Sequence, residues 1–154
     1  MKQTGIETNP TAITAAVETI LSISPIEDDH NTLERIFSQP RWTLHKALTL
    51  SYAIAFLAEN HPAVVICECD LAPGTWKDLL DWAMVLPQPP CVIVTSRLAD
   101  DYLWAEALNA GAYDVLAQPF ERAEVIRIVS LASRSWHDRC SRSSASKIRA
   151  LHAA

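Results

Sequence analysis

Polar side chains stand directly at the ends of several short apolar runs in the sequence. The residues concerned are Ser24, Glu68, Asp70, Thr95 and Gln118. Where such runs form parallel strands, their carboxyl ends meet at one edge of the sheet, and ligands bind or reactions occur at that edge. The run before Glu68, AVVIC at residues 63–67, is fully apolar, as expected of a strand covered on both faces. These polar side chains are therefore the candidates for a functional site.

The cysteines and histidines do not form a recognisable metal site. Cys67 and Cys69 are separated by one residue, whereas zinc sites generally use gaps of two to four residues, and the five histidines are scattered singly. Cys67 and Cys91 lie in apolar runs, which is typical of buried thiols in a reducing compartment. We expect no metal, no disulfide and no cofactor.

Length, composition and charge narrow the class of protein. The 154 residues, 49% hydrophobic and 20% charged, suit one globular domain. The net charge of -5 disfavours nucleic-acid binding by the body of the protein. No run reaches the roughly 18 uncharged apolar residues of a membrane helix, and Met1 to Pro10 contains no signal-peptide core. These observations predict a cytoplasmic protein without membrane spans.

Short apolar runs alternate with amphipathic stretches along the chain. The runs predict five strands, at residues 19–24, 41–47, 63–68, 91–95 and 113–117. The stretches between them have helical periodicity, and Gly111 can end the helix at residues 100–110. Such alternation predicts a doubly wound α/β fold with a parallel sheet, right-handed crossovers and helices on both faces.

Two extensions flank the predicted domain of residues 19–136. Residues 1–18 include a predicted helix from Asn9 to Glu18, with Asn9 as its cap. Residues 137–154 carry four basic residues and one acid, a net charge of +3 that leaves -8 on the remainder. We expect this tail to be a solvated or frayed extension after a final helix that ends near Trp136. The alternative is a basic helix at residues 144–152 that docks on an acidic partner or on the protein's own acidic face.

Several motifs occur in an order and at a spacing that resemble the receiver domains of response regulators. They are ALTLSYAIAFLAENHPAVVIC, CVIVTS, ALNAGAYDVL and QPF, and the resemblance extends from Thr19 to Trp136. It implies a five-stranded flavodoxin-like sheet with strand order 2-1-3-4-5. In this family an aspartate after the third strand accepts a phosphoryl group, and an acidic pair after the first strand holds Mg²⁺. A Thr or Ser after the fourth strand and a Lys after the fifth contact the phosphoryl oxygens.

Most of these family positions are altered here. The resemblance places Glu68 at the acceptor position, Ser24 and Pro25 at the acidic pair and Gln118 at the lysine, so only Thr95 fits the pattern. Mg²⁺ prefers carboxylates, of which Ser24 and Pro25 supply none. Gln118 cannot neutralise a phosphoryl group. We expect poor Mg²⁺ binding and a degenerate phosphoacceptor pocket.

The remaining candidates each have a structural interpretation. Glu68 either shapes the pocket, within hydrogen-bonding reach of Thr95 or Gln118, or is a strand-end carboxylate satisfied by backbone amides. Asp28 and Asp29 are expected to be solvated residues in the first turn of a helix. Val115 occupies the position of the family's aromatic switch residue and is too small to act as one.

The resemblance implies a stand-alone pseudo-receiver, a signalling module that binds proteins and is not an enzyme. The expected partner is a histidine kinase, an output protein or a second copy in a homodimer. The expected partner face is residues 100–136, with candidate anchors Tyr102, Trp104, Tyr113 and Arg122; Trp104 can equally be a core residue. One alternative is a working phosphoacceptor at Glu68 or Asp70. A flavodoxin-like small-molecule binder is less favoured, because SPIEDDH after the first strand lacks a glycine-rich phosphate loop.

Overall fold

The computed structural model describes residues 17–153, which form a five-stranded parallel sheet with order β2-β1-β3-β4-β5. The strands are β1 (Glu18–Ile23), β2 (Trp42–Ala47), β3 (Val64–Glu68), β4 (Cys91–Ser96) and β5 (Asp114–Ala117). The helices are α1 (Glu27–Ile36), α2 (Leu50–Glu59), α3 (Trp76–Ala83), α4 (Asp101–Ala110) and α5 (Arg122–His152). The predicted fold class and strand order are confirmed.

Helices cover both faces of the sheet. On one face, α1 and α5 pack against apolar side chains such as Ile20, Ile66 and Ile93. On the other, α2, α3 and α4 pack against side chains such as Leu21 and Val65. Because β3 lies in the middle of the sheet and contacts both layers, all five of its residues are buried, as the apolar run AVVIC predicts.

The strand register brings the polar strand ends together. Glu68 is paired with Thr95 across β3 and β4, and Ser96 is paired with Ala117 across β4 and β5. On the other side of β3, Ile23 is paired with Cys67, so Ser24 begins its loop at the same level. The carboxyl edge of the sheet therefore carries the candidate residues.

The amino-terminal prediction is corrected at its last two residues, because Val17 is not helical and Glu18 lies in a strand. Residues 9–16 of the predicted helix lie outside the described residues. Glu18, predicted to end that helix, instead begins β1, where it is paired with Trp42. Its carboxylate accepts hydrogen bonds from Ser133 Oγ at 2.7 Å and interacts with His137 Nε2 at 2.9 Å, so tertiary contacts with α5 hold it in the strand.

The predicted end of the last helix is wrong. The helix α5 continues past Trp136 to His152, so the expected loose tail is helical. Residues 122–152 contain no Gly or Pro, and extending an existing helix is far easier than nucleating a new one. Arg139 fastens part of the extension, because its Nη2 donates to the Pro89 carbonyl at 3.2 Å. Side chains from Ser141 to Ala153 are exposed.

Within residues 17–153, no helix is both long enough and apolar enough to cross a membrane.

Gly111 gives a direct test of the local folding argument. It ends α4 with φ +107° and donates its amide to the Leu108 carbonyl at 3.1 Å. A Cβ there would have Met84 Sδ at 3.8 Å as its nearest neighbour, so an alanine would be strained by its backbone and not by a clash. Gly111→Ala should lower the free energy of unfolding by about 1–2 kcal/mol in urea denaturation. Asn109→Ala, an exposed change within the same helix, should be neutral or slightly stabilising. Equal stability of wild type and Gly111→Ala would contradict this account.

Candidate functional site

Glu68 lies at the centre of the carboxyl edge as the last residue of β3. Its side chain is buried, with 4% of the residue exposed. Thr95 Oγ1 donates to Glu68 Oε2 at 3.1 Å, and the Cys69 thiol approaches Glu68 Oε1 at 3.7 Å. The structure therefore brings Glu68 and Thr95 together, with Thr95 donating from β4 and the Cys69 thiol approaching from the loop after β3.

Burial raises the pKa of Glu68 above its usual range. The Thr95 hydrogen bond works in the opposite direction, and the negative charge of Asp29 adds to the rise. Arg97 favours the charged form, which means that its positive charge is felt at Glu68. Burial also raises the pKa of the neighbouring Cys69 thiol. The thiol is thus protonated at neutral pH and acts as a weak hydrogen-bond donor.

Glu68, Cys69 and Asp70 form the one group within residues 17–153 in which three metal-ligand atoms lie within 4.8 Å of one another. A protonated thiol is a poor ligand for a hard cation, so this group offers Mg²⁺ two carboxylates at most. Because Mg²⁺ favours an octahedral shell of oxygen atoms, the donor set fits that ion poorly.

Asp29 is a member of the site that the sequence interpretation missed. It was expected to be a solvated residue of the first helical turn, but it is buried, with 6% of the residue exposed. Ser24 Oγ donates to its Oδ2 at 2.7 Å, and Arg97 Nη2 donates to its Oδ1 at 3.1 Å. The correction has a packing reason: Asp29, Leu33 and Ile36 share the inward face of α1 at helical spacing. That spacing could have identified Asp29 as a buried acid.

His30 continues this polar network into the protein interior. It is fully buried, and its Nε2 lies 2.9 Å from the Ser24 carbonyl oxygen, which can only accept a hydrogen bond. Its Nδ1 lies 3.0 Å from Ser22 Oγ. Both ring nitrogens are thus used to fix the end of β1 against α1. A lone histidine in an acidic stretch of sequence gives no signal for this role.

Gln118 occupies the position after β5 and does not join the network. The residue is 8% exposed, and neither its Nε2 nor its Oε1 has a hydrogen-bond partner within residues 17–153. Pro25, next to Ser24, is exposed and supplies no ligand atom from its side chain. The positions predicted to be degenerate therefore contain one hydroxyl bonded to Asp29, one proline ring and one unpaired amide.

A surface pocket of about 390 Å³ opens between α1 and the loops after β4 and β5. Its walls include Asp28, Asp29, Thr32, Arg97, Gln118 and Phe120. Arg97 supplies a positive charge, and the side chain of Arg97 is about half exposed while that of Asp29 is buried. The pocket thus contains an internal ion pair that the sequence interpretation did not anticipate.

The other predicted residues occupy separate places. Val115 is buried in the core beneath α4. Tyr102 and Trp104 are exposed on α4, and Trp104 Nε1 donates to Asp114 Oδ1 at 3.3 Å. Tyr113 is half-buried against the α1 and α5 layer. Arg122, at the start of α5, borders a depression lined by residues of α1. The two exposed aromatic residues lie on α4 instead.

Comparison with family models and with curated proteins gives no match for this sequence. Solved structures do match over most of the chain. A signal receiver domain from Vibrio parahaemolyticus is similar over 80% of this chain and 95% of its own, with 19% identity and a TM-score of 0.75.

Two further solved structures agree. The signal receiver domain of an HD domain-containing protein from Pseudomonas fluorescens Pf-5 is 26% identical, with coverage of 79% and 98% and a TM-score of 0.71. A CheY-like receiver domain protein from Methanospirillum hungatei JF-1 is 14% identical, with coverage of 80% and 99% and a TM-score of 0.71. The chain has the receiver-domain fold of response regulators, and the resemblance to that family predicted from its sequence motifs is confirmed.

Proposed function

We propose that this receiver domain is a pseudo-receiver, which acts in signal transduction by binding proteins and performs no phosphoryl chemistry of its own. One observation carries the proposal. Asp29 is the buried acid nearest the end of β1, and both of its carboxylate oxygens are already bonded, one to Ser24 and one to Arg97. No acidic pair therefore faces Glu68 from β1.

The charge balance of the pocket supports the same conclusion. Transfer of a phosphoryl group needs cations that offset its developing negative charge, in this fold a divalent ion and a lysine. Here the one cation on the pocket wall within the described residues is Arg97, and it is bonded to Asp29. Gln118 adds no charge. A phosphoryl group on Glu68 would face Asp29 and Asp70, and the single charge of Arg97 would supply only part of the compensation that a divalent ion and a lysine give together.

The exposed aromatic residues of α4 favour a protein partner. Tyr102 and Trp104 are 77% and 51% exposed, and Leu98 lies in the loop just before α4 and is 83% exposed. Aromatic side chains are enriched at the energetic centres of protein interfaces. We infer that the exposed side of α4 within the predicted partner face binds a histidine kinase, an output protein or a second copy of the chain.

Acetyl phosphate tests the absence of phosphoryl chemistry. The wild-type protein should remain unlabelled with acetyl phosphate and physiological Mg²⁺, because Ser24, Pro25 and Gln118 cannot hold the ion or balance the charge. Intact-protein mass spectrometry reads the result. A phosphoryl group mapped to Glu68 or Asp70 would overturn the proposal and support a working phosphoacceptor instead.

The reverse experiment restores the family pattern. The quadruple variant Ser24→Asp, Pro25→Asp, Glu68→Asp and Gln118→Lys should bind Mg²⁺ and become labelled, since it regains the carboxylates and the lysine together. Glu68→Asp alone is the matched control and should stay unlabelled. If the control were labelled as readily as the quadruple variant, the missing acidic pair and lysine would not be the reason for inactivity.

Glu68→Gln tests the electrostatic state of the carboxyl edge. Because the pKa of Glu68 is raised, the folded state holds this proton more tightly than the unfolded chain does. The carboxyl therefore lowers stability progressively as pH rises from its ordinary value of 4.5 through its folded value. Glu68→Gln keeps an acceptor for Thr95 and removes the titration. Urea unfolding between about pH 4 and pH 8 should show a growing stability advantage for the variant.

The exposed Glu59→Gln serves as the control for this series and should follow the wild-type pH profile. Parallel profiles for wild type and Glu68→Gln would mean that Glu68 titrates as a solvated carboxyl does. NMR spectra of the same pair show how far the pocket is coupled to the proposed partner face. Shifts across residues 100–136 would support coupling, and shifts confined to the pocket would leave Glu68 a local structural residue.

A further inference from the structure

We propose that the pocket between α1 and the loops after β4 and β5 binds a small zwitterionic ligand of the amino-acid class. Its carboxylate would bind Arg97, its ammonium group would bind Asp28, and a polar group of the ligand would pair with the Gln118 amide. The proposal rests on the proposed function, because a pocket loaded with Mg²⁺ and a phosphoryl group would present a different set of charges.

The unpaired amide of Gln118 is the first observation. The residue is 92% buried, lines the pocket, and has no partner for either its donor or its acceptor within residues 17–153. Native proteins rarely leave both polar atoms of a buried amide unpaired, because the lost hydration is not replaced. Gln118 lies on the pocket wall, and a turn of its side chain toward the pocket would let a ligand with a donor and an acceptor replace that hydration.

Arg97 provides the site for a carboxylate. Its guanidinium has five N–H donors, and the one hydrogen bond that it makes in the described chain is the one from Nη2 to Asp29. The side chain is about half exposed on the pocket wall, so the remaining donors are accessible. The planar guanidinium fork matches the two oxygens of a carboxylate, which makes this pairing both strong and geometrically selective.

Asp28 provides the opposite charge. It lies on the same pocket wall in the first turn of α1, is exposed, and has no side-chain hydrogen bond or ion pair with another described residue. Arg97 offsets the charge of Asp29, and the two remaining acids, Glu27 and Asp28, still outweigh the partial positive charge of the helix terminus. A cationic group therefore has a favourable position within the pocket that also holds Arg97.

The size of the pocket limits the ligand. A volume of about 390 Å³ lies near the lower end of the range for small-molecule sites and fits one amino acid. Half-buried Phe120 supplies an apolar wall for the ligand's carbon atoms. A pocket lined by a positive group, a negative group and an amide discriminates against simple anions and simple cations, each of which would satisfy only one charge.

The direct test is an NMR titration of the full chain with each of the proteinogenic amino acids up to about 10 mM. At least one should give saturable amide shifts that include Asp28, Arg97 and Gln118. Acetate and methylamine, which each carry one of the two charges, should bind at least about tenfold more weakly. Absence of saturable shifts with every amino acid, or shifts confined to other surfaces, would overturn the proposal.

Variants separate the proposed contacts from the pocket's shape. Asp28→Asn and Arg97→Lys should each weaken binding at least about tenfold, because one loses the anion and the other loses the fork. Thr32→Ser changes the pocket wall and keeps the hydroxyl that donates to the Asp28 carbonyl at 2.9 Å, so it should bind as wild type does. Equal affinity of wild type, Asp28→Asn and Arg97→Lys would contradict the assignment.

Gln118→Leu adds a readout of the amide itself. The variant removes the unpaired polar atoms at similar volume, so the free protein should melt at a higher temperature than wild type, while stabilisation by the bound amino acid should shrink. Undiminished stabilisation would contradict a role for Gln118. Failure of the titration would leave the pseudo-receiver proposal intact, whereas labelling of Glu68 by acetyl phosphate would refute that proposal whatever the titration shows.

Discussion

The buried carboxylate of Asp29 is the group on which the arrangement of the carboxyl edge depends. It accepts one hydrogen bond from Ser24 at the end of β1 and another from Arg97 in the loop after β4. A buried carboxylate without such donors would be strongly unfavourable, so three segments are held at one point. His30 reinforces the same corner, because its ring bridges Ser22 and the Ser24 backbone.

This constraint gives the domain an internal charge balance. A receiver that takes a phosphoryl group gains negative charge on phosphorylation and loses it on dephosphorylation, and a divalent ion and a lysine compensate that charge. Here Asp29 and Arg97 compensate each other, and Glu68 is held by Thr95 with its pKa raised by burial. Val115 packs in the core instead of providing an aromatic switch. Under the proposed function, these fixed charges at the carboxyl edge suit recognition better than group transfer.

The sequence alone predicted the features that depend on periodicity and order. The apolar run at residues 63–67 identified the central strand, and family spacing gave the strand order and the proximity of Glu68 and Thr95. Contacts between distant segments were beyond that reasoning. The partner of Asp29 is Arg97, 68 residues away, and an acid in a first helical turn is ordinarily solvated. The length of α5 was not predicted, because the polar composition after Trp136 is compatible with both a loose tail and a continued helix.

A double-mutant cycle measures how strongly Asp29 and Arg97 stabilise the fold through each other. Urea unfolding would be measured for wild type, Asp29→Asn, Arg97→Gln and the double variant. We expect a favourable coupling energy of about 1–2 kcal/mol that survives added salt, because the Asp29 carboxylate is buried. Effects that add within about 0.5 kcal/mol would contradict it, since the two side chains would then contribute to stability independently.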